Sequence, residues 1–357
     1  MRTTFKKSGE TVKTLGSAII GCGSISGVHL KAVADLENAE LKAVVDLDES
    51  KAKRVAEQYG CDYYTDYNEV LKRDDIQIVH ICTGHHQHAP VTVDALNAGK
   101  HVLTEKPMAE TKAAAQSMLK AAGQNPGVQL GVIFQNRYNA SSQRIKQAVD
   151  SGEFGKLLGL KGIVTWHRNS SYYETDWKGN WATEGGGVLI NQSIHTLDLL
   201  HWFGGQVASL KGTFSNDSLE DVIEVEDTVH VFLQFASGAK GIFYATNAYV
   251  KNSPVELELC FEQGALVQRG DTLYLEQDGK LTVLVEPQVN LSGGKSYWGS
   301  SHELQIRDFY EHVLEGKPFW IDGPEGYKTF GLVMDVYESS RTGKTITYSG
   351  AEAAARS

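Results

Sequence analysis

The sequence predicts an α/β unit on a doubly wound parallel sheet, followed by an α+β unit on an open, mainly antiparallel sheet with helices on one side. Three observations predict it. Between residues 17 and 134, short apolar runs alternate with segments of helical period. In the second half, longer segments alternate apolar with polar residues, the mark of strands with one wet face. A glycine-rich turn separates the first apolar run from the first helical segment. The division is placed between residues 1–137 and 138–357.

Strands of the first half are expected at Ser17–Ile20, Leu41–Val45, Ile76–Cys82, His101–Leu103 and Val128–Phe134. These are nearly continuous runs of Val, Ile and Leu, as in strands covered on both faces. Between them, Ser26–Leu36, Ser50–Tyr59, Ala89–Ala98 and Thr111–Ala122 carry apolar residues at three- and four-residue spacing and are expected as helices. A helix near Ser141–Asp150 opens the second half. Antiparallel strands are then expected at Leu158–Trp166, Thr228–Phe235, Gly241–Asn247 and Val255–Phe261, with turns at Ser237-Gly238 and Asp278-Gly279-Lys280. One helix is expected over Val188–Phe203, and two more, His302–Glu315 and Glu325–Arg341, close the domain. No internal repeat is visible, and residues 350–357 read as a frayed tail.

The chain has 357 residues, enough for two domains and a substantial core. With 41% hydrophobic and 22% charged residues it reads as globular rather than disordered. Lys plus Arg is 34 and Asp plus Glu is 44, a formal charge of −10, which disfavours general nucleic-acid binding. The four cysteines, Cys22, Cys61, Cys82 and Cys260, form no CxxC pair, which argues against a zinc ribbon or redox dithiol. Few thiols, no export signal and no long apolar run lead to the expectation of a cytoplasmic protein outside the membrane.

The turn reads Gly21-Cys22-Gly23-Ser24-Ile25-Ser26. Gly21 and Gly23 permit a tight turn and close approach of backbone to a pyrophosphate, and Ser24 and Ile25 lead into the helix N-terminus, where unpaired N–H groups favour an anion. Ser26 stands where a third glycine is usual and is small enough for close helix–strand packing. Asp46 ends the second strand at the position of the acid that binds the adenosine ribose hydroxyls. A carboxylate there repels a 2′-phosphate, so NAD is expected over NADP.

Residues 99–107, Gly-Lys-His-Val-Leu-Thr-Glu-Lys-Pro, and 185–204, GGGVLINQSIHTLDLLHWFG, resemble the Gfo/Idh/MocA family of nicotinamide-dependent sugar and cyclitol oxidoreductases. The segment Trp166-His167-Arg168, Tyr172-Tyr173 and Trp177-Lys178-Gly179-Asn180-Trp181 resembles a branch that oxidises C3 of pyranosides and nucleotide sugars. The resemblance implies a Rossmann domain followed by an open-faced domain whose sheet often pairs between subunits, hence a dimer or tetramer. It also implies a cis bond before Pro107.

At the carboxyl edge of a parallel sheet, Lys106 suits donation of a hydrogen bond to a substrate hydroxyl and stabilisation of a forming alkoxide. The resemblance makes Lys106 and His195 the catalytic pair, and Glu105 a nicotinamide contact or the residue that positions Lys106. An imidazole titrating near neutrality suits proton removal from an alcohol. Asn191, four residues before His195, is expected on the same helical face as a substrate ligand. Several relatives have Asp there, and an amide stabilises imidazolium less, which leaves either His195 or Lys106 as the final proton acceptor. Asp198 is read as an orienter of His195 or as a structural cap.

The histidines of Thr83-Gly84-His85-His86-Gln87-His88 lack a recognised metal-site spacing, and no metal is expected. By resemblance Thr83 and His88 lie under the nicotinamide ribose, although Gly84 and His85 depart from the usual Pro and Asn. Gln135, beside Asn136 and Arg137, lies by resemblance near the nicotinamide amide. Arg168, Tyr173, Trp177 and Trp181 are expected to wall the substrate, since aromatic faces suit sugar C–H groups and Arg bridges hydroxyls. Four aromatics in one stretch also suit a core. Tyr297-Trp298-Gly299 is a further candidate. The expected reaction is NAD-dependent oxidation of a secondary hydroxyl of a sugar, glycoside or inositol. A closed redox cycle without net NADH release is the alternative, and a non-catalytic sugar or NAD sensor is the third reading.

Overall fold

A computed structural model describes residues 13–287 and 301–348. The chain divides into two compact units, one holding residues up to Ile133 together with His302–Gly326, the other Phe134–Ser301 and the residues from Tyr327.

In the first unit the elements alternate as expected: β1 Leu15–Ile20, α1 Ser26–Asp35, β2 Ala39–Val45, α2 Glu49–Tyr59, β3 Asp62–Tyr64, α3 Tyr67–Leu71, β4 Ile78–Ile81, α4 His85–Asn97, β5 His101–Thr104, α5 Lys112–Gln124 and β6 Leu130–Val132. The six strands are parallel in the order β3-β2-β1-β4-β5-β6. The order reverses between β1 and β4, so a crevice opens outside their carboxyl ends. β1 and β4 are buried along their whole length, which explains their lack of polar alternation. β3 and α3 were not expected, because β3 has three mostly exposed residues and α3 only five. The side chain of Asp48 caps α2, and Gly60 ends it in the left-handed region at φ 69°.

The helix α8, His302–Glu315, belongs to this unit rather than to the second, a correction to the division at residue 137. Its inward residues explain why. Gln305 donates to the Val132 carbonyl (2.8 Å), Tyr310 pairs with Ser17 (2.6 Å), and Phe309 fills the space before Gly131, where a Cβ would lie 2.9 Å from its ring.

In the second unit, α6 (Ala140–Ser151) precedes β7 (Leu157–Thr165). After a loop come α7 (Ile194–Gly204), β8 (Val207–Ser215), β9 (Thr228–Phe235), β10 (Lys240–Thr246), β11 (Glu256–Phe261), β12 (Gly264–Arg269), β13 (Thr272–Gln277) and β14 (Lys280–Val285). The helix α9 (Gly323–Thr342) contains the division between the units, and β15 (Ile346–Thr347) follows it. These strands form a nine-stranded sheet, β14-β13-β12-β11-β7-β10-β9-β8-β15. All its pairings are antiparallel except β10 with β7. One face is covered by α7. A Cβ on Gly162 of β7 would meet Leu200 at 2.9 Å and Thr196 at 3.1 Å, so glycine sets the depth to which the helix seats.

The single helix expected over Val188–Phe203 is divided. Val188–Gln192 forms a π turn, Ser193 is a junction, and only then does α7 begin. The Ser193 hydroxyl donates to the Val188 carbonyl (2.7 Å), and the Ser193 N–H bonds to the same carbonyl, five residues back.

Candidate active site

The glycine turn leaves β1 and enters α1 as the spacing predicts. Gly21 has φ +97°, and a Cβ there would lie 2.6 Å from the Cys82 carbonyl oxygen. Gly21 is therefore fixed by the protein itself. Gly23 differs: a Cβ there would face nothing within 4 Å. The Ser26 hydroxyl closes the turn on the Gly23 carbonyl (2.7 Å). Neither α1 nor α4 carries a side-chain cap, in contrast to α2 and α5, so both helices bordering the crevice present N-terminal N–H groups. The open space at Gly23 and the uncapped N-terminus of α1 fit a dinucleotide pyrophosphate. Asp46 does more than expected. One carboxylate oxygen accepts from the Cys22 N–H (2.8 Å) and the other from the Asp48 N–H (2.9 Å), so this half-buried residue also braces the turn. A carboxylate has capacity beyond these two bonds for ribose hydroxyls.

At the carboxyl end of β5, the Glu105 carboxylate is buried. His29 of α1 donates to it from Nε2 (3.0 Å), His302 of α8 donates from Nε2 (3.3 Å), and the Lys106 N–H bonds the other oxygen (3.2 Å). Burial alone raises a carboxyl, but the bonds from His29 and His302 hold Glu105 well below the usual range. The network continues inward. His29 Nδ1 meets His80 Nδ1 (2.9 Å), His80 Nε2 meets the Tyr310 hydroxyl (2.8 Å), and Tyr310 meets Ser17. Burial lowers His80 and His302, so both favour the neutral imidazole. Among the described residues His29, Glu105 and His302 are the group whose ligand atoms come close enough to hold a metal, within 4.8 Å of one another. Hydrogen bonding from both imidazoles to the carboxylate accounts for this geometry. The Lys106–Pro107 peptide is cis, as the resemblance implies.

Thr83 and His88 border the same edge. His88 is buried, with Nδ1 on the Pro107 carbonyl (2.7 Å) and Nε2 on the Thr83 carbonyl (3.1 Å). The ring sits between two loops of this edge, and as a neutral imidazole it donates to one of the two carbonyls. Burial lowers its pKa against the pull of the two carbonyls.

In the second unit, His195 is half-buried at the start of α7. Gln135 Nε2 lies 3.4 Å from its Nε2, and Phe134 packs edge-on against the ring. Asp198 does not orient His195. It is locked to Arg137 by two bonds (2.9 and 2.7 Å) and accepts from the Thr329 hydroxyl (2.8 Å), all buried. Asn191 lies in the π turn, so its four-residue spacing to His195 does not follow one regular α-helix face. Its Nδ2 donates to Glu184 (2.5 Å), a fully buried carboxylate that also accepts from the Gly179 N–H (2.5 Å). Gly186 and Gly187 are demanded by the protein rather than by a ligand: a Cβ would lie 2.0 Å from the Tyr337 hydroxyl at the first and 1.9 Å from the Glu226 carbonyl oxygen at the second. The buried Glu226 carboxylate accepts from the Gly187 and Leu189 N–H groups (2.8 and 3.0 Å) and from the Tyr337 hydroxyl (2.9 Å).

The expected substrate wall divides. Tyr173 sits in a buried cluster with Leu219, Ile223 and Val225, and its hydroxyl accepts from Asn247 (3.1 Å). Trp181 packs against that cluster, donates to the Glu224 carbonyl (3.0 Å) and lies under Arg341. Both placements fit the alternative that these aromatics form a core. Arg168 stacks on Trp166 and Tyr172 and donates to Asn252 (2.9 Å), while Trp177 is partly exposed beside Lys178. Tyr297-Trp298-Gly299 lies outside the described residues.

Sequence reading missed His29, His80, His302, Glu184 and Glu226 as parts of the site. The available signals were local: His29 shares the buried stripe of α1 with Leu30 and Val33, and His80 stands within an apolar strand.

A six-stranded parallel sheet with a glycine turn at its switch point, an acid after β2 and a lysine after β5 defines an NAD-binding oxidoreductase. The family model for the NAD-binding Rossmann oxidoreductases matches residues 15–134, and the Gfo/Idh/MocA C-terminal domain matches residues 142–267. The chain belongs to the Gfo/Idh/MocA family. It is 27% identical to D-glucoside 3-dehydrogenase of Escherichia coli, covering 95% of this chain and 99% of that one. It is 24% identical to levoglucosan dehydrogenase of Pseudarthrobacter phenanthrenivorans, covering 80% and 84%. The WlbA dehydrogenase of Bordetella pertussis, solved with NADH and UDP-GlcNAcA, superposes with a TM-score of 0.82 at 26% identity, covering 94% of this chain and 99% of that one.

Proposed function

We propose that this protein oxidises a secondary hydroxyl of a sugar, glycoside or inositol to a ketone, with NAD as acceptor. One observation carries the reading. The glycine turn after β1 and Lys106 after β5 stand on the same carboxyl edge of one sheet, two strands apart, with Lys106 anchored to a carboxylate that three donors hold. NAD, when bound, supplies the hydride acceptor at nicotinamide C4. Gly23, the α1 N-terminus and Asp46 hold its pyrophosphate and adenosine ribose, and the loops carrying Thr83 and Glu105 border its nicotinamide end. Lys106 donates to the reacting hydroxyl oxygen and stabilises negative charge as it forms. His195 takes the hydroxyl proton, with Gln135 beside its ring. Asn191 binds a neighbouring hydroxyl, and Arg168 with Trp177 borders the sugar.

The named substrates of the relatives, D-glucoside and levoglucosan, support a pyranose-like ligand. The four free cysteines fit a reducing compartment, so we place the protein in the cytoplasm. Among the described residues no helix is long and apolar enough to cross a membrane. The open face of the nine-stranded sheet suits pairing with a second copy, as a dimer or tetramer.

The test is absorbance of reduced nicotinamide with NAD and, in parallel, NADP, against inositols, pyranoses, glycosides and UDP-sugars. The expected result is reduction of NAD by one substrate class. Replacement of Lys106 by Met should lower kcat by at least about a hundredfold while NAD still binds. Unchanged turnover in that variant would overturn the assignment. Conversion of substrate without accumulated NADH would replace net oxidation by the closed redox cycle.

A further inference from the structure

We propose that Glu226 is a positioning residue that anchors the π turn Val188–Gln192 and so fixes the offset at which Asn191 and His195 are presented. This deepens the reading above and rests on it for the roles of those two residues, but every atom of the anchor lies within the second unit.

A helix leaves its first N–H groups without partners of its own. Here one residue from far along the chain takes three of them in succession. Glu226 stands just before β9. Its Oε2 accepts from the Gly187 N–H (2.8 Å), its backbone carbonyl from the Val188 N–H (3.1 Å) and its Oε1 from the Leu189 N–H (3.0 Å). The Tyr337 hydroxyl of α9 donates to Oε1 as well (2.9 Å). Gly186 and Gly187 admit this approach, since a Cβ on either would collide with Tyr337 or with the Glu226 carbonyl. Glu226 is buried, so a donor that loses it has no solvent to turn to.

The peptides that Glu226 holds are those from which the site hangs. The Gly187 carbonyl accepts from the Asn191 N–H (3.0 Å), and the Val188 carbonyl from the Ser193 N–H (2.9 Å). The Ser193 carbonyl in turn accepts from the Thr196 and Leu197 N–H groups (3.0 and 3.2 Å), on the turn of α7 that carries His195. Farther along, α7 is fixed against the sheet, where Thr196 and Leu200 close on Gly162. A loosened Gly187–Leu189 segment therefore cannot carry turn and helix along together. It changes the offset between Asn191 and His195. The shape of the side chain is not enough for this anchor. A carboxylate accepts at both oxygens, and its charge suits a helix N-terminus. A glutamine of the same size has one acceptor oxygen, and its NH2 would face the Gly187 or the Leu189 N–H, donor against donor.

Two measurements test this. Burial pushes Glu226 up to about 7 against the pull of the Leu189 and Gly187 bonds, so both are made at about pH 8, where the carboxylate prevails. The first needs no substrate: amide hydrogen exchange followed by NMR. In Glu226→Gln the Gly187 or the Leu189 amide should exchange at least about tenfold faster, while amides in the middle of β9 keep their wild-type rates. The second is kinetic. In Glu226→Gln kcat should fall at least about tenfold, because the proton acceptor is displaced, while Kd for NAD keeps its wild-type value. Tyr337→Phe leaves both N–H bonds in place and should cost less. Exchange that is unchanged at the turn, or that quickens equally in β9, would overturn the proposal. So would wild-type kcat in folded Glu226→Gln, which would leave Glu226 a stabilising residue only. If Glu226→Gln does not fold, Glu226→Asp, which keeps the charge and loses the reach, decides by the same two readouts. A turn that loosens in Glu226→Gln, in a protein whose wild type oxidises no panel substrate, would instead overturn the proposed reaction and leave the anchor standing.

Discussion

At the scale of single residues, the site depends on carboxylates whose partners lie far away in sequence. Glu105 was legible as part of a motif, but its partners were not. His29 and His302 are separated by 273 residues and meet because α1 and α8 pack on one side of the same sheet. Asp198 shows the converse. Its three-residue spacing from His195 invited an orienting role, whereas a distant arginine and threonine hold it. Spacing along a helix limits which residues share a face, but it does not say which partner waits opposite. If Asp198 is structural, Asp198→Asn should cost about 3 kcal/mol of unfolding free energy, because it leaves the buried Arg137 guanidinium undercompensated. The pH profile of kcat/KM for the folded enzyme should keep its midpoint. Denaturant unfolding and the profile together decide, and a displaced midpoint would restore Asp198 as an orienter of the base.

At the scale of elements, the first unit was the more readable because its strands are continuous apolar runs and its helices are amphipathic or capped. The second unit hid five strands, β8 and β12 to β15. β14 is almost wholly exposed and β15 has two residues, so neither leaves a burial pattern to read. The π turn was hidden for another reason. Val188–Phe203 has a helical apolar pattern, yet Glu226, brought in from outside the segment, takes the Gly187 and Leu189 N–H groups and widens the first turn. The glycine turn was legible as a whole, and the structure separates its two glycines. Gly21→Ala places a Cβ against the Cys82 carbonyl at a positive φ and should destabilise the fold by at least about 2 kcal/mol, as a lowered Tm. Gly23→Ala meets no protein atom, so its Tm without cofactor should match wild type while its Kd for NAD rises by at least about tenfold. Equal NAD affinity in wild type and Gly23→Ala would mean that the pyrophosphate does not pass over this turn.

At the scale of the whole molecule, the open sheet face is the feature a lone chain explains least. Strand alternation buries Val229, Val231, Leu233 and Phe235 of β9 on one side and points Phe232 to the other. Phe232 pairs with Ile242 of β10, and Ile242 with Lys161 of β7, so they form one row across three adjacent strands. Phe232 and Ile242 are 46% and 58% exposed, and Leu158 at the start of β7 is 49% exposed. The Lys161–Glu258 ion pair continues the row onto β11 at 2.7 Å. An apolar strip beside an ion pair on an open sheet face is a poor surface to leave in water and a good one to lay against its own copy about a two-fold axis. Light scattering after gel filtration should therefore give at least twice the chain mass of 39.1 kDa at micromolar concentration. Substitution of both Phe232 and Ile242 by Glu should bring the mass down to one chain, because two like charges side by side on each copy would be buried against the other's strip. A wild-type protein that elutes as one chain, or a doubly substituted one that keeps its assembly, would show that this face does not join the subunits.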